Sequence, residues 1–186
     1  MTPLRTVVRT LLVLVVAAGI GAVAGPAAAS PPPPRELGAP DLGGYCRSLG
    51  YADAIALGRS AYDWHCRTAD QRYADLTLDG ACRWTYGIGE AVDRIGDFWR
   101  AGSVRCWRVR DDIVTPDFDR YCRTTGADGA ALVGADAYSW RCVTGGTDPV
   151  YAGIDVLSAC RETTFGYATI DRFANFLDPH SWQCRV

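Results

Sequence analysis

The apolar positions of this chain follow two regimes, with a break near residue 30. Before the break they are continuous. Arg5 and Arg9 precede the run Leu11-Leu12-Val13-Leu14-Val15-Val16-Ala17-Ala18, and the small residues Ala27-Ala28-Ala29 stand ahead of Ser30. A basic start, an apolar centre and a small-x-small end form the order of a secretory signal peptide, so 1–29 is read as one. The stretch Thr10 to Pro34 is free of charge, but its second half is Ala, Gly and Pro, which anchors a bilayer poorly. A membrane association is therefore expected only if this segment stays uncleaved.

After the break the apolar positions come in short bursts between Gly, Pro and Asp. Residues 30–43, with Pro31 to Pro34, Gly38, Pro40 and Gly43, read as a Pro/Gly-rich lead-in. Tyr45–Leu49 suits a helical turn stopped by Gly50. Ala54–Leu57 and Tyr62–Cys66 flank Gly58-Arg59-Ser60 and read as a β-hairpin. Tyr62, Trp64 and Cys66 lie two apart, so in a strand they share one face. Tyr73 to Leu78 is a further strand, Asp79 is placed to cap a helix over Gly80–Tyr86, and Val104–Val109 is the last strand. The expected counterparts further on are Leu132–Gly134, Tyr138–Cys142, Ile154–Val156, the helix Ala159–Thr164 and Ser181–Val186.

The cysteines change this picture most. They stand at 46, 66, 82, 106, 122, 142, 160 and 184, and the last four follow the first four by 76, 76, 78 and 78 positions. Between 45–66 and 121–142, 10 of 22 residues are identical. The reading is a small, disulfide-rich, β-dominated α+β protein of two tandem homologous modules, 44–109 and 117–186, joined by the polar link 110–116. Within each module Cys-Arg opens a half at 46, 82, 122 and 160, and Trp-x-Cys closes three of the four. Four cysteines per module allow three pairings. The half-repeat favours the sequential one, 46–66, 82–106, 122–142 and 160–184.

Charge and chemistry narrow the function. The formal net charge is −2, and all 19 basic residues are Arg. Removing Arg5 and Arg9 with the signal segment leaves −4, which argues against a nucleic-acid partner. Oxidised cysteines leave no thiolate nucleophile, no Gly-x-Ser-x-Gly elbow occurs, and the nearest cysteines are 16 apart, far from a zinc-ligand pair. No metal or cofactor is expected. His65 and His180 stand in non-equivalent places, and the register of His180 suggests a packed, partly buried ring. Asp93-Arg94 recurs as Asp171-Arg172, which reads first as structural ion pairs, although a carboxylate-dependent hydrolase stays open.

Binding is the preferred reading, to an extracellular glycan, the cell wall or a surface partner. The contact candidates are Trp84, whose counterpart is Glu162, Trp107, whose counterpart is Arg185, and the matched pair Tyr73 and Tyr151. A contact between modules explains the two tryptophans equally well. The alternative is a protein-interaction or inhibitor scaffold using loops 67–72 and 143–150.

The run Tyr-x-Trp-x-Cys, a short loop and an aliphatic strand into Ala-Cys-Arg resembles an uncharacterised secreted actinobacterial cysteine-rich module, over about 44–186. That resemblance implies no activity. Gly153-Ile154-Asp155-Val156-Leu157 is faintly similar to a strand of cyanovirin-like lectins, which implies sugar binding. The cysteine separation here is wider than in those lectins.

Overall fold

Each disulfide ties a short helix to the middle strand of a three-stranded antiparallel sheet, and this arrangement occurs four times. The computed structural model describes residues 33–110 and 112–186. The signal segment read at 1–29 lies outside the described residues, and the described residues form one compact unit. The chain runs β1 (Arg35–Gly38), α1 (Leu42–Ser48), β2 (Asp53–Ala56), β3 (Trp64–Arg67), β4 (Tyr73–Asp75), α2 (Leu78–Tyr86), β5 (Ala91–Ile95) and β6 (Val104–Arg108). The same order follows in β7 (Ile113–Val114), α3 (Phe118–Thr124), β8 (Gly129–Leu132), β9 (Trp140–Thr144), β10 (Val150–Gly153), α4 (Val156–Thr163), β11 (Ile170–Phe173) and β12 (Trp182–Arg185).

The sheets are β2-β3-β4, β1-β6-β5, β8-β9-β10 and β7-β12-β11. Cys46 on α1 bonds Cys66 on β3, Cys82 on α2 bonds Cys106 on β6, Cys122 on α3 bonds Cys142 on β9, and Cys160 on α4 bonds Cys184 on β12. The bridged residues lie 20 or 24 apart in sequence. Closing loops of this size removes roughly 3 kcal/mol of unfolded-state entropy per bridge. Sheets of three short strands with one helix bury little, so the crosslinks offset a thin local core.

Several elements differ from the sequence reading for identifiable reasons. Arg35–Gly38, within the stretch taken as lead-in, is a strand because β6 pairs with it antiparallel. Ile113–Val114, within the polar link, likewise pairs with β12. The cap of α2 is Thr77, and Asp79 sits inside the first turn. Ile154–Val156 is not a strand. Asp155 instead caps α4, its carboxylate accepting from the Ser158 backbone N–H. Strands β5 and β11, Ala91–Ile95 and Ile170–Phe173, carry an Asp-Arg pair where alternation should continue. Their charges are satisfied by the opposite half of the chain.

That mutual satisfaction defines the middle of the molecule. One hydrophobic cluster draws from both halves: Leu42, Leu78, Ile95 and Phe98 meet Phe118, Phe173, Phe176 and Trp182. Phe98 and Phe176 lie face to face, with centroids 3.5 Å apart and planes inclined by 6°. The Ala61 amide donates to the Phe98 carbonyl at 2.7 Å, and the Ala137 amide donates to the Phe176 carbonyl at the same distance. The Phe176 amide donates to the Tyr62 hydroxyl at 3.1 Å, and the Tyr138 ring meets that of Phe176 edge-on. The first half therefore completes backbone bonding in the second.

Candidate functional site

Beside this shared core, the end of β4 and the start of α2 stand opposite β11. Between them lies a cavity of about 390 Å³, walled by Tyr62, Trp64 and Phe173 and edged by Asp75, Thr77 and Asn175. The Trp64 indole N–H donates to the Ala101 carbonyl at 2.8 Å. The ring orientation is thus fixed, and only its carbon surface is offered to the cavity. Tyr62 remains partly exposed at the rim.

Buried charge forms the floor. Arg172 on β11 donates from one Nη2 to Asp93 at 2.8 Å and to Asp79 at 2.9 Å, and its Nε donates to the Asp93 carbonyl. The Asp93 amide donates to Asp79 at 2.8 Å. The two carboxyl groups are also hydrogen-bonded to each other. Burial is the main cause that pushes Asp93 up to about 7, with the bond to Asp79 reinforcing it against the pull of Arg172. Asp79 is held below the usual carboxylate range: burial opposes this, but the bond from Asp93 and the Arg172 charge outweigh it. A single proton shared by the pair is what such opposite shifts express. Arg172 stays charged, the neighbouring carboxylates outweighing its desolvation. Across the molecule, Arg94 answers with Asp171 at 2.6 Å. The repeated Asp-Arg dipeptides are therefore reciprocal ion pairs between the halves.

Chemically the dyad is closed. Glycoside hydrolysis places its carboxyl groups about 5 Å or more apart, on opposite sides of the bond to be broken. Asp79 and Asp93 instead touch one another and share one guanidinium, leaving no place for a glycosidic bond between them. The cavity above can hold a ligand; the floor shapes and polarises it.

A similar wall exists in the second half. Tyr138, Trp140, Ile154 and Val156 line about 310 Å³. The Trp140 indole donates to the Pro179 carbonyl at 2.8 Å, as Trp64 does to Ala101. Asp75 and Asp79 have no acidic counterparts there: the matching residues are Gly153 and Leu157. A third hollow of about 550 Å³ involves Phe118, Trp140 and His180. His180 is exposed, not packed as its register suggested, because it belongs to the loop before β12 and meets Trp140 only edge-on.

None of Trp84, Trp107, Tyr73 and Tyr151 lines these cavities, and the structure does not bring the four together. Tyr73 and Tyr151 are half-exposed on the edge strands β4 and β10 of separate sheets. Trp107 packs on Val92, Val109 and Ile170, a cluster that joins the two halves. Trp84 lies over Gly44 of α1, where an added Cβ would come within 2.5 Å of the indole. Its counterpart Glu162 pairs with Arg120, which stands in the place of Gly44, at 3.2 Å. The α1–α2 contact is thus Gly against Trp, and the α3–α4 contact is Arg against Glu. Gly44→Arg should cost about 1–3 kcal/mol by overpacking. Adding Trp84→Glu should recover most of that loss, as read by the urea midpoint of both variants.

The sequence reading missed Tyr62 as a rim residue and missed Asp79 and Asn175. A usable signal was present: the 78-residue offset sets Asp79 against Leu157, an acid against an apolar residue beside a paired cysteine. No protein-family model matches the chain, and neither the curated proteins nor the solved structures hold a significant match to it.

Proposed function

We propose that this chain is an exported, non-catalytic binding protein that arose by internal duplication and takes an extracellular glycan in the cavity of its first half. Four disulfides suit an oxidising compartment. Export through the segment 1–29 accounts for them. Among the described residues, no helix is long and apolar enough to cross a membrane.

The observation that carries the glycan reading is the make-up of the cavity. Immobile aromatic faces from Tyr62 and Trp64 stand beside Asp75, Thr77, Asp79 and Asn175. A sugar offers a C–H face to a ring and hydroxyl pairs to carboxylate and amide groups, so this mixture suits it. The volume lies at the lower end of the range of about 300–1,000 Å³ for small-ligand sites, matching a short segment of a glycan chain.

The test is a glycan array and a cell-wall pulldown, followed by calorimetric titration of the best binder. Asp75 is an exposed rim residue, so Asp75→Ala leaves the core intact. This variant and Thr77→Val should each weaken binding about tenfold, the loss of roughly one hydrogen bond to a charged or polar group. Trp84→Ala should leave affinity unchanged. Absence of any glycan or cell-wall ligand would remove this reading, and equal binding by both cavity variants would move the site elsewhere.

A further inference from the structure

Two matched loops present a surface that the cavity reading does not use. Residues 97–103 follow β5, and residues 175–181 follow β11. They are braced alike. The Ser103 hydroxyl donates to the Asp97 carbonyl at 2.6 Å and accepts from the Asp97 amide at 3.1 Å. Ser181 and Asn175 repeat both bonds at the same distances. The Trp99 amide donates to the Asp97 carboxylate at 3.0 Å, and the Leu177 amide donates to the Asn175 side chain at 3.0 Å. Each loop turns one phenylalanine inward and holds the next side chain outward. The inward pair is the stack of Phe98 on Phe176, which sets the two tips side by side. The outward pair is Trp99, 65% exposed, and Leu177, 75% exposed.

The residues that follow carry opposite charges at equivalent positions, Arg100 in one loop and Asp178 in the other. Both are exposed. The Asp178 carboxylate accepts only from the His180 amide among the described bonds, and Arg100 takes part in none of the described ion pairs.

We propose that these tips form a self-complementary surface on which a second copy of this chain docks about a two-fold axis. Charge selects this occupant. Laid across the approximate symmetry that relates the two loops, a two-fold places Arg100 of each copy against Asp178 of the other. The same rotation brings each Trp99 toward Leu177 of the second copy. Every polar contact is made twice, as an isologous interface requires. The alternative registry sets Arg100 against Arg100 and is rejected by like charge. An anionic membrane would ask for a basic rim, and here the rim charges cancel. Dimerisation would also join two binding cavities in one particle, although the surface argument does not depend on them.

Sedimentation equilibrium of the disulfide-intact protein over a micromolar concentration series tests the proposal. The wild type should be a reversible dimer. Arg100→Asp should weaken association at least tenfold, by about the coupling of one close charge pair made twice. The double exchange Arg100→Asp with Asp178→Arg should restore it. Trp99→Ser with Leu177→Ser should give a folded monomer that keeps the far-ultraviolet circular dichroism of the wild type and melts in one cooperative transition, at a lower temperature because Trp99 also packs edge-on against Phe98 and Phe176. A wild type that is monomeric throughout overturns the proposal, whether or not it binds vesicles. So does a dimer indifferent to Arg100→Asp, or a double exchange that fails to restore association. Glycan affinity of the monomeric variant is measured separately, so failure here leaves the cavity reading standing and the reverse also holds.

Discussion

Replacing Arg172 with methionine is expected to destabilise the protein by about 3–5 kcal/mol near neutral pH, and by clearly less near pH 4.5. The arginine is the common partner of Asp79 and Asp93, and Asp93 is 4% exposed. Removing one member of a buried ionic group leaves the rest without compensation, which costs more than the group contributed when intact. The pH dependence follows from the shared proton. Asp93 has its folded pKa raised from 3.8 to about 7, so between those values the folded protein holds a proton that the unfolded chain has released. Stability of the wild type therefore falls as pH rises from about 4 to about 7. Asp79 works in the opposite sense. Its folded pKa is lowered, so its contribution is present above its unfolded value and lost as pH falls below it. The two together put the maximum near pH 4.

Without Arg172, the protonated Asp93 can still donate to Asp79, and the damage at low pH is limited. Near neutral pH the proton must either be kept, at increasing cost, or given up to leave two adjacent anions. Urea midpoints of wild type, Arg172→Met and Asp93→Asn across this range provide the check. Asp93→Asn should flatten the slope. Equal destabilisation of Arg172→Met at both pH values would show that the dyad carries no proton.

What was legible in the sequence divides along local and non-local physics. The helix–strand crosslinks are local: Cys-Arg on a short helix and Trp-x-Cys on a strand recur at fixed spacing, and the bonds in the structure follow sequential order. The hairpin around Gly58-Arg59-Ser60 is local as well, with Ala56 opposite Trp64 in the ladder. Strands β5 and β11 were hidden because Asp93-Arg94 and Asp171-Arg172 interrupt their alternation. The partners that make those charges affordable lie 77 to 93 residues away. Strand β1 was hidden for the same reason, since Pro and Gly surround it and its ladder partner β6 comes some seventy residues later. The cavity was half legible. Tyr62 and Trp64 stood out through their repetition with Tyr138 and Trp140, but they share the strand face of a bridged cysteine, which points them inward and conceals the rim. Trp99 escaped notice because the tryptophans singled out were those with a polar counterpart, Glu162 and Arg185, whereas its own counterpart is the apolar Leu177.

The stacked phenylalanines lead to the other large effect. Phe98→Ala and Phe176→Ala should each cost about 3–5 kcal/mol, the range for truncating a buried aromatic ring. Both rings are nearly buried, and each meets the other together with Phe173 and an outward tryptophan or tyrosine. Once one ring is removed, the second faces a void and has already lost its main contact. The double variant should therefore lose less than the sum of the singles, by about 0.5–3 kcal/mol of coupling. The consequence for the whole chain is stronger than the size of either effect. If the two halves were independent beads, Phe176→Ala would lower only the melting of the second half and split the thermal transition. The matched bonds from Ala61 to the Phe98 carbonyl and from Ala137 to the Phe176 carbonyl, with the phenylalanine stack and the bond from the Phe176 amide to the Tyr62 hydroxyl, make each half part of the other's core. One calorimetric transition is expected in wild type and in both single variants, with native-state hydrogen exchange accelerated to a similar degree in β3 and β9. Two resolved transitions, or faster exchange confined to the mutated half, would mean that the shared core does not couple the halves.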